Sequence, residues 1–140
     1  MTFSGINWWS IVISVFITFA ASGIWFGPKT FYPIWQKALG TGPENQTTTN
    51  PGIIFGRIIG GVIIEILVLG WVLNSLQSAY SNIGLLDGAV IGFWLGLGIL
   101  GLPSLSHRQF SKNGVKVWLI ENSIDVIMLT ISGAIIAGMR

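Results

Sequence analysis

The sequence predicts an all-α integral membrane protein, a four-helix bundle with a short interfacial helix in its first cytoplasmic loop. Hydrophobic residues make up 51% of the 140 residues and charged residues only 9%, whereas soluble domains contain about 25% charged residues. The mean hydropathy is +0.73. Such a chain has too few polar side chains to cover a water-exposed surface. We therefore expect one transmembrane domain over residues 1–140.

Four apolar stretches are each long enough to cross the hydrocarbon core of a bilayer, which takes about 20 helical residues. They cover residues 6–27, 53–76, 84–105 and 117–138. No Lys or Arg precedes the first stretch, and its apolar run is long for a signal peptide. We therefore expect the first stretch to be retained as a membrane helix.

The connection between the first two spans contains a further predicted helix. Residues 30–39 carry apolar side chains at helical spacing, with lysines nearby: Phe31, Ile34, Trp35 and Leu39. This pattern is typical of a helix that lies in the membrane interface. Residues 40–52 are polar and include two prolines, so we expect a loop there.

The positive charges predict the orientation of the chain in the plasma membrane. Lys and Arg are concentrated in the first and third connections: Lys29, Lys37, Arg108, Lys112 and Lys116. The N-terminal segment and the second connection (77–83) have none, and Arg140 is the exception at that end. We therefore expect a multi-pass protein with both termini outside and both basic loops in the cytoplasm.

Glycines at a spacing of four residues predict close packing of membrane helices. Gly84, Gly88, Gly92 and Gly96 form a ridge along the third span, and Gly56 and Gly60 repeat the spacing in the second. A ridge without side chains allows another helix backbone to approach closely. The partner is either another span of the same chain, a second protein or a second copy.

Tryptophans near the ends of the spans are predicted interfacial anchors. Trp8 and Trp9 belong to the outer interface, and Trp25, Trp35 and Trp118 to the inner one. None of these side chains needs a cofactor to explain its presence, and we expect no cofactor.

Four ionisable residues inside the predicted spans are the strongest candidates for function: Arg57, Glu65, Glu121 and Asp125. A charged group in the membrane is costly unless it is paired or hydrated, so its default interpretation is functional. Arg57 and Glu121 are expected at similar depth. Glu121 and Asp125 lie one helical turn apart and share a face.

Three interpretations of these charges are open. Arg57 pairs with Glu121 or Asp125 and joins the second span to the fourth. Alternatively, Glu65 and Asp125 bind a proton or a cation along a polar path. In the third interpretation, the charges of another subunit meet these groups.

The composition excludes several kinds of site. The chain has no cysteine, which excludes disulfides, thiol catalysis and Cys-type zinc sites. His107 is the single histidine and lies in a basic loop away from the acids along the chain, so we expect no metal site. There is no nucleophile–base set and no phosphate-binding glycine loop, so we expect no catalysis by the chain itself. A net charge of +2 gives no reason to expect nucleic acid as a partner.

Motifs at the two ends of the chain resemble one known family. Around the first span and the following helix, these residues are Ile6, Asn7, Trp8, Trp9, residues 23–28, Tyr32, Trp35, Lys37 and Gly40. In the last span they are Asn122 and residues 133–138. They resemble the family called domain of unknown function 1761, small prokaryotic membrane proteins with about four predicted spans. The resemblance implies fold and topology and transfers no activity.

The chain departs from the pattern of that family in the last span. After the asparagine the family tends to have an aromatic residue and a histidine, where this chain has Ser123, Ile124 and Asp125. No role of that histidine is therefore carried over to this sequence.

Two functions agree with these features. We expect a small accessory or structural subunit of a larger membrane protein complex, of which a membrane oxidoreductase is one example. The alternative is a homo-oligomeric proton- or ion-coupled transporter or channel, with Glu65, Glu121 and Asp125 along its path. The expected partners are the lipid bilayer and other membrane protein subunits or copies of the chain itself.

Overall fold

The computed structural model describes residues 4–40, 50–80, 82–110 and 113–139. Its helices are α1 (Trp8–Trp25), α2 (Tyr32–Leu39), α3 (Pro51–Ala79), α4 (Leu85–Leu95), α5 (Leu102–Arg108) and α6 (Gly114–Gly138). A π-helical segment, Gly96–Gly101, joins α4 to α5, and the three together form one span, Leu85–Arg108. The described chain thus has four helices that are long and apolar enough to cross a membrane. The predicted all-α four-helix bundle is confirmed.

The ends of the helices differ from the predicted spans by a few residues because local capping groups decide them. Asn7 accepts a hydrogen bond from the Trp9 amide at 3.0 Å, so α1 begins at Trp8. Asn50 accepts one from the Gly52 amide at 2.8 Å. Proline in the first turn has no amide hydrogen to leave unpaired, which allows α3 to begin at Pro51.

The predicted short helix in the first loop is present as α2, which packs against α6. Asn113 donates a hydrogen bond to the carbonyl of Ala38, the buried residue of α2, at 3.1 Å. Most of the predicted loop 40–52, together with Lys112 and Arg140, lies outside the described residues.

Both described ends of the chain lie at the same end of the bundle, as four crossings require. The side chain of Asn7 donates a hydrogen bond to the carbonyl of Met139. We call this the terminal end, and the opposite end, with α2 and Lys116, the basic end. Which of the two faces the cytoplasm stays a prediction.

The last helix, α6, is the centre of the bundle and contacts α1, α2, α3, α4, α5 and the π segment. Its most extensive contact is with α4. At this contact, a side-chain carbon added to Gly88 would overlap the carbonyl of Gly133, and one added to Gly92 would overlap the carbonyl of Leu129. The ridge of α4 therefore packs inside the chain, backbone against backbone, as small residues allow in membranes.

A cluster of buried hydrophobic residues lies in the half of the bundle near the terminal end. It joins α1, the second half of α3 and the second half of α6, and its members are Ile6, Ile11, Ile66, Leu69, Leu73, Leu129 and Ile136. No residue of the first half of α3, residues 51–64, is buried. The bundle is therefore closed near the terminal end, and α3 leaves it toward the basic end.

Candidate functional site

The carboxylate of Glu121 is held at the basic end by side chains from two other helices. Arg108, at the end of α5, donates from Nε to Oε2 at 3.0 Å and from Nη2 to both oxygens at 2.6 and 2.7 Å. Trp35 of α2 donates from Nε1 to Oε1 at 2.9 Å. Such a charge-assisted, forked contact fixes geometry as well as contributing energy.

A tight turn between α5 and α6 brings Arg108 beside Glu121. Asn113 adopts a left-handed backbone with φ of 54°, which asparagine tolerates better than most residues. Gly114 follows, and a side-chain carbon there would overlap the carbonyl of Arg108. The chain therefore reverses closely enough for the end of α5 to meet the third turn of α6, where Glu121 lies.

The structure corrects the predicted pairing of Arg57 with Glu121 or Asp125. Arg57 lies exposed on the first half of α3 and makes no ion pair or hydrogen bond with any described residue. Glu121 binds Arg108 instead. Similar depth in the membrane did not make Arg57 a neighbour of α6, because no residue of the first half of α3 is buried against the described chain.

Three of the predicted anchors donate hydrogen bonds within the chain. Besides Trp35, Trp25 donates to the carbonyl of Ile120 at 3.1 Å, and Trp118 donates to the carbonyl of Gly101 at 2.8 Å. These indoles fasten α1, α2 and the π segment to the basic half of α6. Trp8 and Trp9, by contrast, are 56% and 72% exposed at the terminal end.

The π segment was not predicted from the sequence, although Pro103 is a signal for it. Proline has no amide hydrogen and crowds the carbonyl four residues earlier, and the wider π turn just before it relieves that conflict. Gly101 leaves room there for the buried side chain of Asn122, which a side-chain carbon would overlap. Ile99 and Leu100 of the π segment also line a cleft that faces α3 and α6.

A cleft of about 690 Å³ opens between α3, the span from α4 to α5, and α6. We call it the acidic cleft, because Glu65 and Asp125 both line it, with Ser104 as a third polar residue. Its other lining residues are aliphatic or glycine: Gly61, Ile64, Val68, Leu69, Val72, Leu95, Ile99, Leu100 and Leu129. The structure thus brings together two of the four predicted charges.

The two acids of the cleft lie near the middle of the membrane-spanning helices and have no basic side chain as a partner in the described chain. Glu65 is the middle residue of α3, and Asp125 is next to the middle of α6. Neither makes an ion pair within the described chain. Glu121, one turn from Asp125, is already neutralised by Arg108. Two such carboxyl groups in an apolar setting favour a proton, a cation or a charge from another chain.

The remaining predicted site residues fall into two groups. Gly96 approaches the Cα of Val126, which an added side-chain carbon would meet at 3.0 Å, so it continues the contact of α4 with α6. Gly84 is the cap of α4, and its amide donates to Asp87 at 2.9 Å. Gly56 and Gly60 have open space beside them, with no atom within 4 Å of an added side-chain carbon.

A comparison with protein families identifies the group to which these features belong. The model of the family described as "Protein of unknown function (DUF1761)" matches residues 9–137. The chain belongs to this family. The match confirms the resemblance found in the motifs at the two ends of the sequence.

Apart from Trp8 and Gly138, the matched range of the DUF1761 domain covers all four membrane-crossing helices, and it includes the pair of Arg108 with Glu121 and the acidic cleft. No curated protein and no solved structure matches the chain. The function of this DUF1761 chain must therefore be inferred from its own geometry.

Proposed function

We propose that the chain is a structural subunit of a larger membrane protein assembly and packs laterally against other membrane chains. The observation that carries this proposal is the first half of α3. None of residues 51–64 is buried against the rest of the described chain. Yet this stretch carries Gly56 and Gly60, which have no atom within 4 Å of an added side-chain carbon.

Glycine on a helix that faces only lipid has no evident benefit. It costs about 1 kcal/mol relative to alanine in a helix and offers lipid almost no apolar surface. At Gly88 and Gly92 the same residue type has a clear purpose, because another backbone touches it there. Close approach of a helix from another chain would give Gly56 and Gly60 the same purpose.

The exposed Arg57 adds a second argument for a partner. Its guanidinium lies six residues inside α3 and has no acid to pair with in the described chain. A long basic side chain near the end of a span can reach the interface, but an acid or carbonyl of a neighbouring chain would satisfy it at depth. A contact with another chain would therefore account for both the open glycines and the unpaired arginine of this helix.

Cross-linking in the native membrane tests the proposal. Because the sequence has no cysteine, a single substitution introduces a unique thiol for labelling. Gly60→Cys, labelled with a photoactivatable maleimide, should give a reproducible partner band that mass spectrometry identifies. The matched control is Phe16→Cys, on an outward face of α1 that is 72% exposed, and it should give none. A chain that leaves its native membrane alone and monodisperse, without a cross-link at Gly60, would contradict the proposal.

A second candidate function, homo-oligomeric transport of protons or cations, is supported by the acidic cleft. Glu65 and Asp125 line the cleft at mid-membrane, and Glu121 lies one turn nearer the basic end. The three acids thus form a line from the cleft toward the surface. Such intramembrane acids mark ion pathways in many transporters.

Flux through reconstituted liposomes tests this second candidate. Glu65→Gln and Asp125→Asn should each abolish proton or cation flux while the protein keeps its assembly state. Asp87→Asn is the matched control, because Asp87 lies in the first turn of α4 outside the cleft. Unchanged flux in both cleft variants would end this idea.

A further inference from the structure

We propose that the acidic cleft binds a lipophilic organic cation, a singly charged molecule with apolar groups, which enters from the lipid. This inference goes beyond the proposed assembly role, since that role depends on Gly56, Arg57 and Gly60, none of which lines the cleft. It names a ligand class for Glu65 and Asp125 that neither candidate function specifies.

The position of the cleft mouth decides how a ligand would arrive. Ile64 and Ile99 line the cleft, and each is 64% exposed on the outer surface of the bundle. Leu69 and Leu129 form the floor and are 2% and 4% exposed. Because the cleft lies at the middle of α3 and α6, the mouth faces the hydrocarbon core. A ligand reaching it must therefore dissolve in lipid.

The size and lining of the cleft favour an apolar ligand of moderate size. The cleft volume of about 690 Å³ lies within the range of small-molecule sites, roughly 300–1,000 Å³. Such sites combine a mostly apolar lining with a few polar groups that fix orientation. Here the aliphatic side chains of α3, the π segment and α6 supply the lining, and the two acids supply the polar groups.

Charge complementarity selects a cation. Glu65 and Asp125 have no basic partner in the described residues, and Glu121, one turn from Asp125, is already bound by Arg108. A singly charged cation between the two carboxyl groups would offset one of their two negative charges and so lower the cost of exposing charge to lipid. A neutral lipid chain filling the same space would leave that cost in place.

The cleft has few oxygen ligands, which favours an organic cation over a bare metal ion. Calcium takes about six to eight oxygen ligands, and magnesium needs a near-ideal octahedral shell. The cleft offers two carboxylates and the hydroxyl of Ser104, and the described residues contain no group of three or more potential metal-ligating side chains. An ammonium or phosphonium shielded by apolar groups needs charge compensation and van der Waals contact, which this lining provides.

Binding of tetraphenylphosphonium to the full chain in lipid nanodiscs tests the proposal. Radiolabelled probe should bind saturably, and an equal excess of neutral tetraphenylmethane, sodium or calcium should not displace it. Glu65→Gln and Asp125→Asn should each weaken binding by about tenfold or more, because each removes a charge that faces the cation. The double variant should not bind, whereas Asp87→Asn should bind like the unmodified chain.

A second variant separates loss of the site from loss of the fold. Leu100→Trp adds bulk inside the cleft and keeps both acids, so it should block binding while circular dichroism and elution volume stay unchanged. Equal binding by the double amide variant, displacement by tetraphenylmethane or by the inorganic ions, or no binding by the unmodified chain would each overturn the proposal. The cross-link expected at Gly60 is independent of all these outcomes, so the assembly role can stand or fall separately.

Discussion

The carbonyl of Gly133 lies where a side chain of Gly88 would stand, and the carbonyl of Gly88 lies where a side chain of Gly133 would stand. The two backbones therefore touch with nothing between them. This reciprocal contact is the centre of the interface between α4 and α6, the most extensive in the bundle. A side chain at either position must push the two helices apart.

Gly133→Ala should lower the free energy of unfolding by about 1–3 kcal/mol, the usual cost of overpacking a close contact. Titration of the protein in mixed micelles with a denaturing detergent, followed by circular dichroism, measures the change. Gly23→Ala is the control, since an added carbon there meets nothing within 4 Å, and it should leave stability unchanged or slightly higher. An equal loss of stability in Gly133→Ala and Gly23→Ala would contradict the importance of the close contact between Gly88 and Gly133.

The pair of Arg108 and Glu121 should show a measurable coupling energy. The two side chains are 34% and 25% exposed, so solvent screens part of the attraction, and we expect a coupling of about 1 kcal/mol. A double-mutant cycle of Arg108→Gln and Glu121→Gln, read from unfolding titrations, provides the value. Lys116→Gln, an exposed cation near the start of α6, should give no coupling with Glu121→Gln. A cycle that closes to zero would show that the pair adds nothing to stability.

Trp35→Phe should loosen α2 without unfolding the bundle. It removes the hydrogen bond from the indole to Glu121, and a bond to a charged group is worth about 1.5–3 kcal/mol. Amide hydrogen exchange across Tyr32–Leu39 should therefore accelerate by roughly tenfold or more, while exchange in α6 stays slow. Trp9→Phe, which alters an exposed side chain of α1, is the control and should change neither helix. Unaltered exchange in α2 would mean that other contacts hold it.

The orientation predicted from the basic loops has a direct test. Asn82→Cys should react with a membrane-impermeant maleimide in intact cells, whereas Lys29→Cys should react only after the membrane is opened. Both positions lie in connections between helices in the described chain, so the reagent can reach them. The reverse labelling pattern would place the basic end outside.

The architecture could be predicted from the sequence because a membrane imposes long apolar helices and leaves few alternatives. The four spans and α2 follow from that constraint, and the motifs at the two ends pointed to the family. The partners of particular residues did not follow. Depth along a helix says nothing about which side of the helix a residue occupies or which helix lies there. Arg57 and Glu121 therefore looked like a pair, whereas the turn at Asn113 and Gly114 gives Glu121 to Arg108.

The candidate site was predicted in its residues and not in its shape. Glu65 and Asp125 could be recognised as costly charges at mid-span, but their meeting in one cleft depends on how α3 leans on α6. The π segment that forms part of the wall was signalled only by Pro103. For the ridge of Gly88 and Gly92, the spacing indicated close packing, and the structure identifies α6 as the helix that fills it.

The central position of α6 has a consequence for how the protein is made. Ribosomes deliver membrane helices in chain order, and α6 follows every other described helix although all of them pack on it. Until it enters the bilayer, α4 has no backbone to lie against, and Thr18 of α1 lacks its neighbour Ser132. Of the contacts among the earlier long helices, that of α1 with α3 needs no part of α6. Most of the remaining tertiary contacts must therefore form late, and a ribosome that stops before Gly114 leaves behind an incompletely packed chain for the cell to remove.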